Sequence, residues 1–189
     1  MGTDITAPVE VTTENFHQYI AGLVIVNDVS ARDVQLPQGQ WLKGKSYRTF
    51  GPTGPFLYVL DPEDVAQVHN LDVRLWVNDE LRQNANTGQL LYKPEETLTE
   101  LSQTMDLSVG DLILTGTPGG VALNLSKEVM DQIMNPFFPG AKKMELLVDS
   151  QLKLTNYLKD GDVIRCEILS PDGSISLGTQ LSKVVAANK

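Results

Sequence analysis

A short apolar strand that gives way to a carboxylate is the feature that most constrains this fold. The run Leu23–Val26 is rich in β-branched residues and predicts a buried strand, with Asp28 two positions after its end. A carboxylate at the tip of a buried strand is costly unless a metal ion, a cation or several donors satisfy it. Arg32, Gln35 and Lys45 follow within one short stretch. These groups suit a site that binds a small anionic metabolite through a divalent cation.

Asp28 also has a purely structural interpretation. Asp28 or Ser30 can cap a short turn of helix, and Arg32 stands four residues after Asp28, the spacing at which the two pair on a helix. Most carboxylates in such positions are structural. This stretch alone therefore leaves both interpretations open.

The same region contains a P-loop pattern, G-x-x-x-x-G-K-S, from Gly39 to Ser46. That motif binds phosphates only between a strand and a helix, whose N-terminal amides surround the phosphate. The preceding residues, 36–39, are not a strand pattern, and the glycines and prolines at 51–55 exclude a following helix. We interpret the pattern as a chance match and predict no nucleotide binding.

Charge and hydropathy limit the partners. The chain has 15 Lys and Arg against 24 Asp and Glu, and this net charge of −9 argues against a nucleic-acid partner. It also repels an anionic substrate at long range, so that a metal ion and local cations must overcome the repulsion. The longest apolar stretch, Tyr19–Val26, is too short to span a bilayer, and the N-terminus lacks the pattern of a secretion signal. We predict a cytoplasmic protein with no membrane partner.

Cysteine and histidine usage excludes several kinds of site. Cys166 is the only cysteine, which excludes an internal disulfide and a thiolate zinc cluster. It lies in an alternating run that predicts a buried strand thiol rather than a nucleophile. His17 and His69 are the only histidines, and neither stands near a serine or cysteine pattern that indicates a catalytic triad.

Hydrophobic periodicity predicts many short strands and few helices. The strands are expected at 22–27, 56–60, 71–77, 111–114, 162–169 and 174–180, and the helices at 13–22, 94–105 and 126–134. Residues 28–55 are expected to be a polar loop, and Asn78-Asp79 a hairpin turn, because both residue types tolerate positive φ. This pattern predicts an α+β fold, a mixed β-sheet with peripheral helices, as one domain over residues 1–189.

Several motifs, in order, resemble the fumarylacetoacetate hydrolase family. They are Asn27–Asp33, Gly44–Ser46, Thr49–Phe50, Pro52–Pro55, Val77–Gln83, Gly110–Val121 and Lys159–Val163. Separate motifs in a fixed order are a specific signal, and the resemblance runs from about Tyr19 to near the C-terminus. It implies the rolled, barrel-like mixed β fold of the family, usually assembled as a homodimer. Compared with shorter members, residues 122–158 are identified as an insertion.

The resemblance also implies a chemistry. Family members hydrolyse, decarboxylate or tautomerise acylpyruvates and related 2-oxo or 2-hydroxy-dienoic acids, chelated by Mg²⁺ or a similar cation such as Mn²⁺ or Ca²⁺. By resemblance, Asp28 is a metal ligand, and Lys45 steadies the developing negative charge as the catalytic and substrate-binding cation. Gln35 and Thr117 bind the substrate carboxylate or oxo group. Arg32 is either a substrate contact or the structural partner of Asp28.

One supporting residue and two differences from the family pattern affect this implied site. Thr49 is expected to support Lys45, and Arg48 stands where many relatives have aspartate, which changes the charge at the rim of the site. The family's other metal ligands, two glutamates in a Glu-x-Glu motif, fall upstream of position 1. The chain is therefore a fragment of an active enzyme, a chain completed by a partner, or a non-catalytic member that binds a small carboxylate or a protein. We favour the first, because Asp28, Lys45 and Thr117 all persist.

Overall fold

The computed structural model describes residues 1–38 and 41–186, which fall into two compact units. The first unit comprises Met1–Val26, Thr53–Gly119 and Val163–Ser182. The second comprises Asn27–Pro52, Gly120–Asp162 and the residues from Lys183 onwards. The assignment of residues 1–189 to a single domain of the family stays a prediction. Within the described ranges, no helix is both long enough and apolar enough to cross a membrane.

The strands and the α-helices fall largely in separate runs along the chain, as is typical of an α+β fold. The strands are β1 (Gly22–Leu23), β2 (Tyr58–Val59), β3 (Asp72–Val77), β4 (Glu80–Asn86), β5 (Val163–Leu169) and β6 (Ser176–Lys183). The α-helices are α1 (Arg32–Gln38), α2 (Trp41–Lys45), α3 (Pro94–Ser102), α4 (Lys127–Met134) and α5 (Gly140–Leu152). Turns of 3₁₀ helix lie at Phe16–Gln18, Pro62–His69 and Thr87–Gln89.

The first unit contains a four-stranded sheet in the order β4-β3-β5-β6, and a small antiparallel pair of β1 and β2. Strand β3 pairs antiparallel with both β4 and β5. The turn between β3 and β4 places Asn78 at φ 50° and Asp79 at φ 68°. Two successive residues at positive φ form the type of turn whose twist matches a two-residue hairpin. The predicted hairpin is therefore confirmed, as is the pairing of the strands at 162–169 and 174–180.

The apolar core of this unit lies among the N-terminal segment, the 3₁₀ turns and α3. Its buried side chains are Ile5, Val11, Phe16, Leu60, Val65, Val68, Leu98 and Leu107. Helix α3 also holds the extended N-terminal segment through hydrogen bonds. The hydroxyl of Thr99 accepts from the Val11 N–H, and that of Ser102 accepts from the Val9 N–H. Leu98 lies on the face of this helix that packs into the core.

The second unit is built on α4 and α5, which fall within the predicted insertion. The helix predicted at 126–134 is confirmed as α4, and the Ser126 side chain caps it by accepting a hydrogen bond from the Val129 N–H. Gln151 at the end of α5 is buried, and its amide donates to the Asn124 carbonyl at 2.8 Å and accepts from the Tyr157 hydroxyl at 3.0 Å. One buried amide thus joins three parts of the insertion.

Some predicted elements are wrong or shortened. Residues 111–114 do not form a strand: no described strand pairs with them, and Leu112 and Leu114 are about half exposed. A short apolar run becomes a strand only where a neighbour accepts its hydrogen bonds. The predicted helix at 13–22 is a single turn at Phe16–Gln18, because a short helix is marginal without strong packing. The strands predicted at 22–27 and 56–60 shrink to β1 and β2.

Residues 28–55 are not a continuous loop, because they contain α1 and α2. The prolines and glycines there suggested a loop, but α1 includes Pro37 and α2 includes Gly44. The Ala31 N–H donates to the Gly44 carbonyl at 2.8 Å and joins the two helices. Packing between two short helices overrides the local preference of these residues for a loop.

Candidate functional site

Asp28 and Lys45 meet in the second unit. Asp28 follows the end of the first apolar run, and Lys45 is the last residue of α2. The Lys45 ammonium donates to an Asp28 carboxylate oxygen. The Lys45 side chain is 27% exposed and that of Asp28 38% exposed, so that solvent and ligands reach the pair. An ion pair this exposed contributes little to stability. A ligand-binding role therefore explains the presence of Asp28 and Lys45 better than a stabilising role does.

Arg32 and Gln35 form a second contact, one turn apart on α1. The Arg32 guanidinium donates to the Gln35 side-chain oxygen. Arg32 thus pairs with Gln35. It does not form the ion pair with Asp28 that the four-residue spacing of Asp28 and Arg32 suggests. The reason is that α1 begins at Arg32, so Asp28 lies outside the helix and the i,i+4 geometry does not apply.

The Gln35 side chain has an unused donor. Gln35 is 2% exposed, and its Nε2 has no hydrogen-bond partner within the described ranges 1–38 and 41–186. Buried polar atoms in native proteins nearly always have a partner, and an exception calls for an explanation. A ligand oxygen is one such partner.

Tyr157 of the insertion lies close to this group, although the sequence did not indicate it. Burial raises the pKa of Tyr157, and the nearby positive charge of Arg32 partly offsets that rise. The Tyr157 hydroxyl donates to the side-chain oxygen of Gln151, which belongs to α5. The insertion therefore extends to the vicinity of Arg32. No local sequence motif indicates this proximity.

Thr117 lies in the first unit, in a glycine-rich turn within the Gly110–Val121 motif. Gly116 at φ 110° and Gly120 at φ 100° give this segment conformations that suit glycine. The Thr117 hydroxyl accepts a hydrogen bond from the Gln83 amide at 2.9 Å. Gln83 is part of a family-like motif, but no role was assigned to it from the sequence.

Thr49 has an unusual backbone conformation at φ 72°. A β-branched residue at positive φ is a genuine outlier, and such conformations cluster near functional sites. The supporting role of Thr49 toward Lys45, and the effect of Arg48 on the charge at the rim, stay predictions.

The P-loop pattern at 39–46 is not followed by a helix, since residues 46–55 contain none. This agrees with its interpretation as a chance match. Gly39 of the pattern lies outside the described residues.

A divalent cation fits this chain only in part. Asp28 offers the hard carboxylate oxygen that Mg²⁺ prefers. Within the described residues, no group of three or more His, Cys, Asp or Glu side chains could hold a metal ion. Mg²⁺ commonly keeps several waters and uses one or two carboxylates together with oxygens of the substrate. Asp28 therefore fits as one ligand of a cation that also binds a chelating substrate.

Sequence comparison places the chain among known proteins. The profile described as fumarylacetoacetate (FAA) hydrolase C-terminal matches residues 1–185. Oxaloacetate tautomerase FAHD2B, mitochondrial, of Bos taurus is 38% identical over 169 residues, which are 88% of this chain and 43% of that protein. The Fahd2a oxaloacetate tautomerase, mitochondrial, of Rattus norvegicus is 36% identical over 168 residues, 88% of this chain and 42% of that protein. The chain thus spans less than half the length of these relatives.

Solved structures give a similar picture. The 2-hydroxyhepta-2,4-diene-1,7-dioate isomerase of Mycobacterium marinum matches with a TM-score of 0.68 at 28% identity, over 100% of this chain and 56% of that one. The fumarylacetoacetate hydrolase of Exiguobacterium antarcticum matches with a TM-score of 0.67 at 31% identity, over 97% of this chain and 55% of that one. Both matches support the α+β fold described above.

Proposed function

Because the chain belongs to the fumarylacetoacetate hydrolase family, we propose that it acts on a small 2-oxo acid as a metal-dependent tautomerase. Relatives at 36–38% identity are named oxaloacetate tautomerases, and a solved neighbour at 28% identity is named an isomerase. These names favour tautomerisation over the hydrolysis and decarboxylation that the family also includes. Oxaloacetate, acylpyruvates and 2-hydroxy-dienoates are the substrates to test.

The unpartnered amide of Gln35 is the observation that carries this proposal. Its Nε2 is buried and lacks an acceptor among the described residues, while its Oε1 accepts from Arg32. Because Arg32 occupies the oxygen, the amide nitrogen is directed away from the guanidinium. A carboxylate or oxo oxygen of the substrate would supply the missing acceptor and remove the cost of an unsatisfied buried donor.

The proposed chemistry needs no co-reactant. Tautomerisation moves one proton from the carbon next to the 2-oxo group to the oxygen of that group, through an enolate. Lys45 would steady the negative charge that develops on this oxygen, since a cation aimed at developing charge is an effective stabiliser. The hydroxyl of Thr117 would donate to an anionic oxygen of the substrate.

A divalent cation is part of the proposal, with Mg²⁺ preferred and Mn²⁺ or Ca²⁺ as alternatives. When bound, such an ion polarises the carboxylate and oxo oxygens of a 2-oxo acid. Asp28 would supply one of its ligands, and Lys45 would then turn from Asp28 toward the substrate. Assembly as a homodimer and a cytoplasmic location are further proposals from the resemblance.

A second candidate is a binding module without turnover. It is favoured by the ion pair between Asp28 and Lys45, which already satisfies the one carboxylate proposed as a metal ligand. Such a module would bind a small carboxylate, or complete its site with a partner chain, without a metal requirement of its own.

Calorimetric titration with Mg²⁺, with and without oxalate, separates these candidates. Oxalate is a flat mimic of an enolised 2-oxo acid. We expect Mg²⁺ binding that requires oxalate, is lost in Asp28→Asn and is retained in Asp131→Asn, which removes the same charge from the exposed face of α4. Oxalate binding without Mg²⁺ would favour the binding module. Absence of any binding would overturn both candidates for this chain.

A further inference from the structure

We propose that Gln83 is a positioning residue that fixes the Thr117 hydroxyl as a hydrogen-bond donor to the substrate. The inference rests on the proposed function, in which Thr117 binds an anionic substrate oxygen. Gln83 itself is not placed against the substrate: it would act through Thr117.

A β-bulge aims Gln83 at the glycine-rich turn. In the pairing of β3 with β4, Leu75 opposes Gln83, whereas Trp76 opposes Leu81, so that Arg82 is the extra residue. A bulge breaks the alternation of side chains along a strand. Leu81 is accordingly 48% exposed, whereas Gln83, two residues on, is 8% exposed. Without the bulge, these two side chains would share one face of the sheet.

The contacts of Gln83 determine the direction of its hydrogen bonds. Its Nε2 lies 2.8 Å from the Pro118 carbonyl oxygen and 2.9 Å from the Thr117 hydroxyl oxygen. A carbonyl oxygen can only accept, so the amide nitrogen rather than the amide oxygen must face the turn. The two hydrogens of the amide are then used by two adjacent residues of one turn.

The Thr117 hydroxyl is therefore an acceptor in this contact. A hydroxyl has one hydrogen and two lone pairs, and the bond from Gln83 uses a lone pair. The hydroxyl hydrogen is left for another acceptor, and Thr117 is exposed. A hydroxyl held in this way donates well to an anionic oxygen, because a charged acceptor strengthens the bond. Gln83 would thus set both the place and the donor role of Thr117.

Gln180 provides a matched control in the same unit. It is buried to the same degree as Gln83, and its amide nitrogen donates to the carbonyl oxygens of Gly54 at 3.0 Å and Ile25 at 3.4 Å. It thus bridges two backbone carbonyls, with no side-chain hydroxyl at the end of these two bonds. Substitution of Gln180 should affect stability as substitution of Gln83 does, without a specific effect on the Thr117 hydroxyl.

The test is a double-mutant cycle on oxalate affinity in the presence of Mg²⁺, with unfolding in urea measured alongside. The variants are Gln83→Met, Thr117→Val and their combination, with Gln180→Met as the control. We expect Gln83→Met and Thr117→Val each to weaken oxalate binding about 10-fold, the value of one hydrogen bond to a charged group. The combination should be no weaker than Thr117→Val alone, because Gln83 acts through that hydroxyl. Gln180→Met should lower stability with affinity unchanged.

Each outcome decides the inference. Additive losses in the cycle, or equal losses in Gln83→Met and Gln180→Met, would overturn it, since either result would mean a general structural effect. If the wild type binds oxalate and Gln83→Met binds it equally well, the inference about Gln83 is overturned while the proposed function stands. A wild-type chain that binds no oxalate would overturn the proposed function and this inference together. Should Gln83→Met not fold, Gln83→Asn keeps the amide but shortens its reach, and the same cycle applies.

Discussion

Gly44 of α2 lies so close to Gln35 of α1 that a Cβ at position 44 would stand 2.7 Å from the Gln35 Cβ. Real Cβ atoms do not approach this closely, and the Gln35 Cβ is fixed to its own backbone, so neither side can give way. The absence of a side chain at Gly44 therefore allows the two helices to touch. Lys45 and Gln35, both proposed to bind the substrate, depend on this contact for their places.

We predict that Gly44→Ala disrupts the site by separating α1 from α2. Overpacking of this kind costs about 1–3 kcal/mol of the free energy of unfolding, and the shift of Gln35 should weaken oxalate binding. The control is Gly140→Ala at the start of α5, where an added Cβ would meet nothing within 4 Å. Urea unfolding and calorimetry would measure both effects. Equal behaviour of the two variants would show that the close contact does not matter.

Lys45→Met is expected to lower kcat for tautomerisation of oxaloacetate by about 10²- to 10³-fold, because it removes the cation that would face developing negative charge. Lys43→Met is the matched control, since Lys43 lies on the same helix and is exposed. The rate of enol-to-keto conversion can be followed by ultraviolet absorbance. Similar losses in both variants would indicate a long-range charge effect rather than a local role of Lys45.

The thiol of Cys166 should be unreactive in the folded chain. Cys166 is buried on β5, as its alternating sequence predicts, and burial raises its pKa to about 11. Because burial disfavours the charged form, only about one thiol in a thousand is ionised at pH 8. We expect a disulfide reagent at pH 8 to modify Cys166 slowly in the native chain and rapidly in concentrated guanidinium chloride. Rapid modification of the native chain would contradict this prediction.

Asp172 should titrate well below the usual range for aspartate. A hydrogen bond from the Ser170 hydroxyl, followed by bonds from the backbone and hydroxyl of Ser174, lowers its pKa from 3.8 to about 2. The folded state thus binds the proton less tightly than the unfolded state. The resulting stability is present above about pH 4 and is lost as the pH falls through about 2.

An NMR titration of the Asp172 carboxyl would test this pKa directly. We expect a midpoint near 2 in the wild type, and a midpoint closer to 3.8 in Ser170→Ala, because that variant lacks the hydroxyl that donates to the carboxylate. In urea unfolding, the difference in stability between Asp172→Asn and the wild type should shrink as the pH falls from about 4 to 2. A difference that does not change with pH would be inconsistent with a lowered pKa.

Local patterns in the sequence predicted much of the fold. The hairpin at Asn78-Asp79, the helices predicted at 94–105 and 126–134 and the buried strand around Cys166 are confirmed. Each depends on interactions between residues a few positions apart, such as a cap, a turn conformation or an alternating pattern. The ordered motifs also indicated the family, which the profile over residues 1–185 shows.

Tertiary structure decided which side chains meet. Spacing suggested that Asp28 pairs with Arg32, but its partner is Lys45, 17 residues away, and Arg32 contacts Gln35 instead. The bulge that turns Gln83 toward Thr117, 34 residues away, likewise leaves no signal in the strand pattern. The sequence by itself determined the types of groups available and the local backbone that carries them. Their partners depend on packing between distant segments, which no local preference encodes.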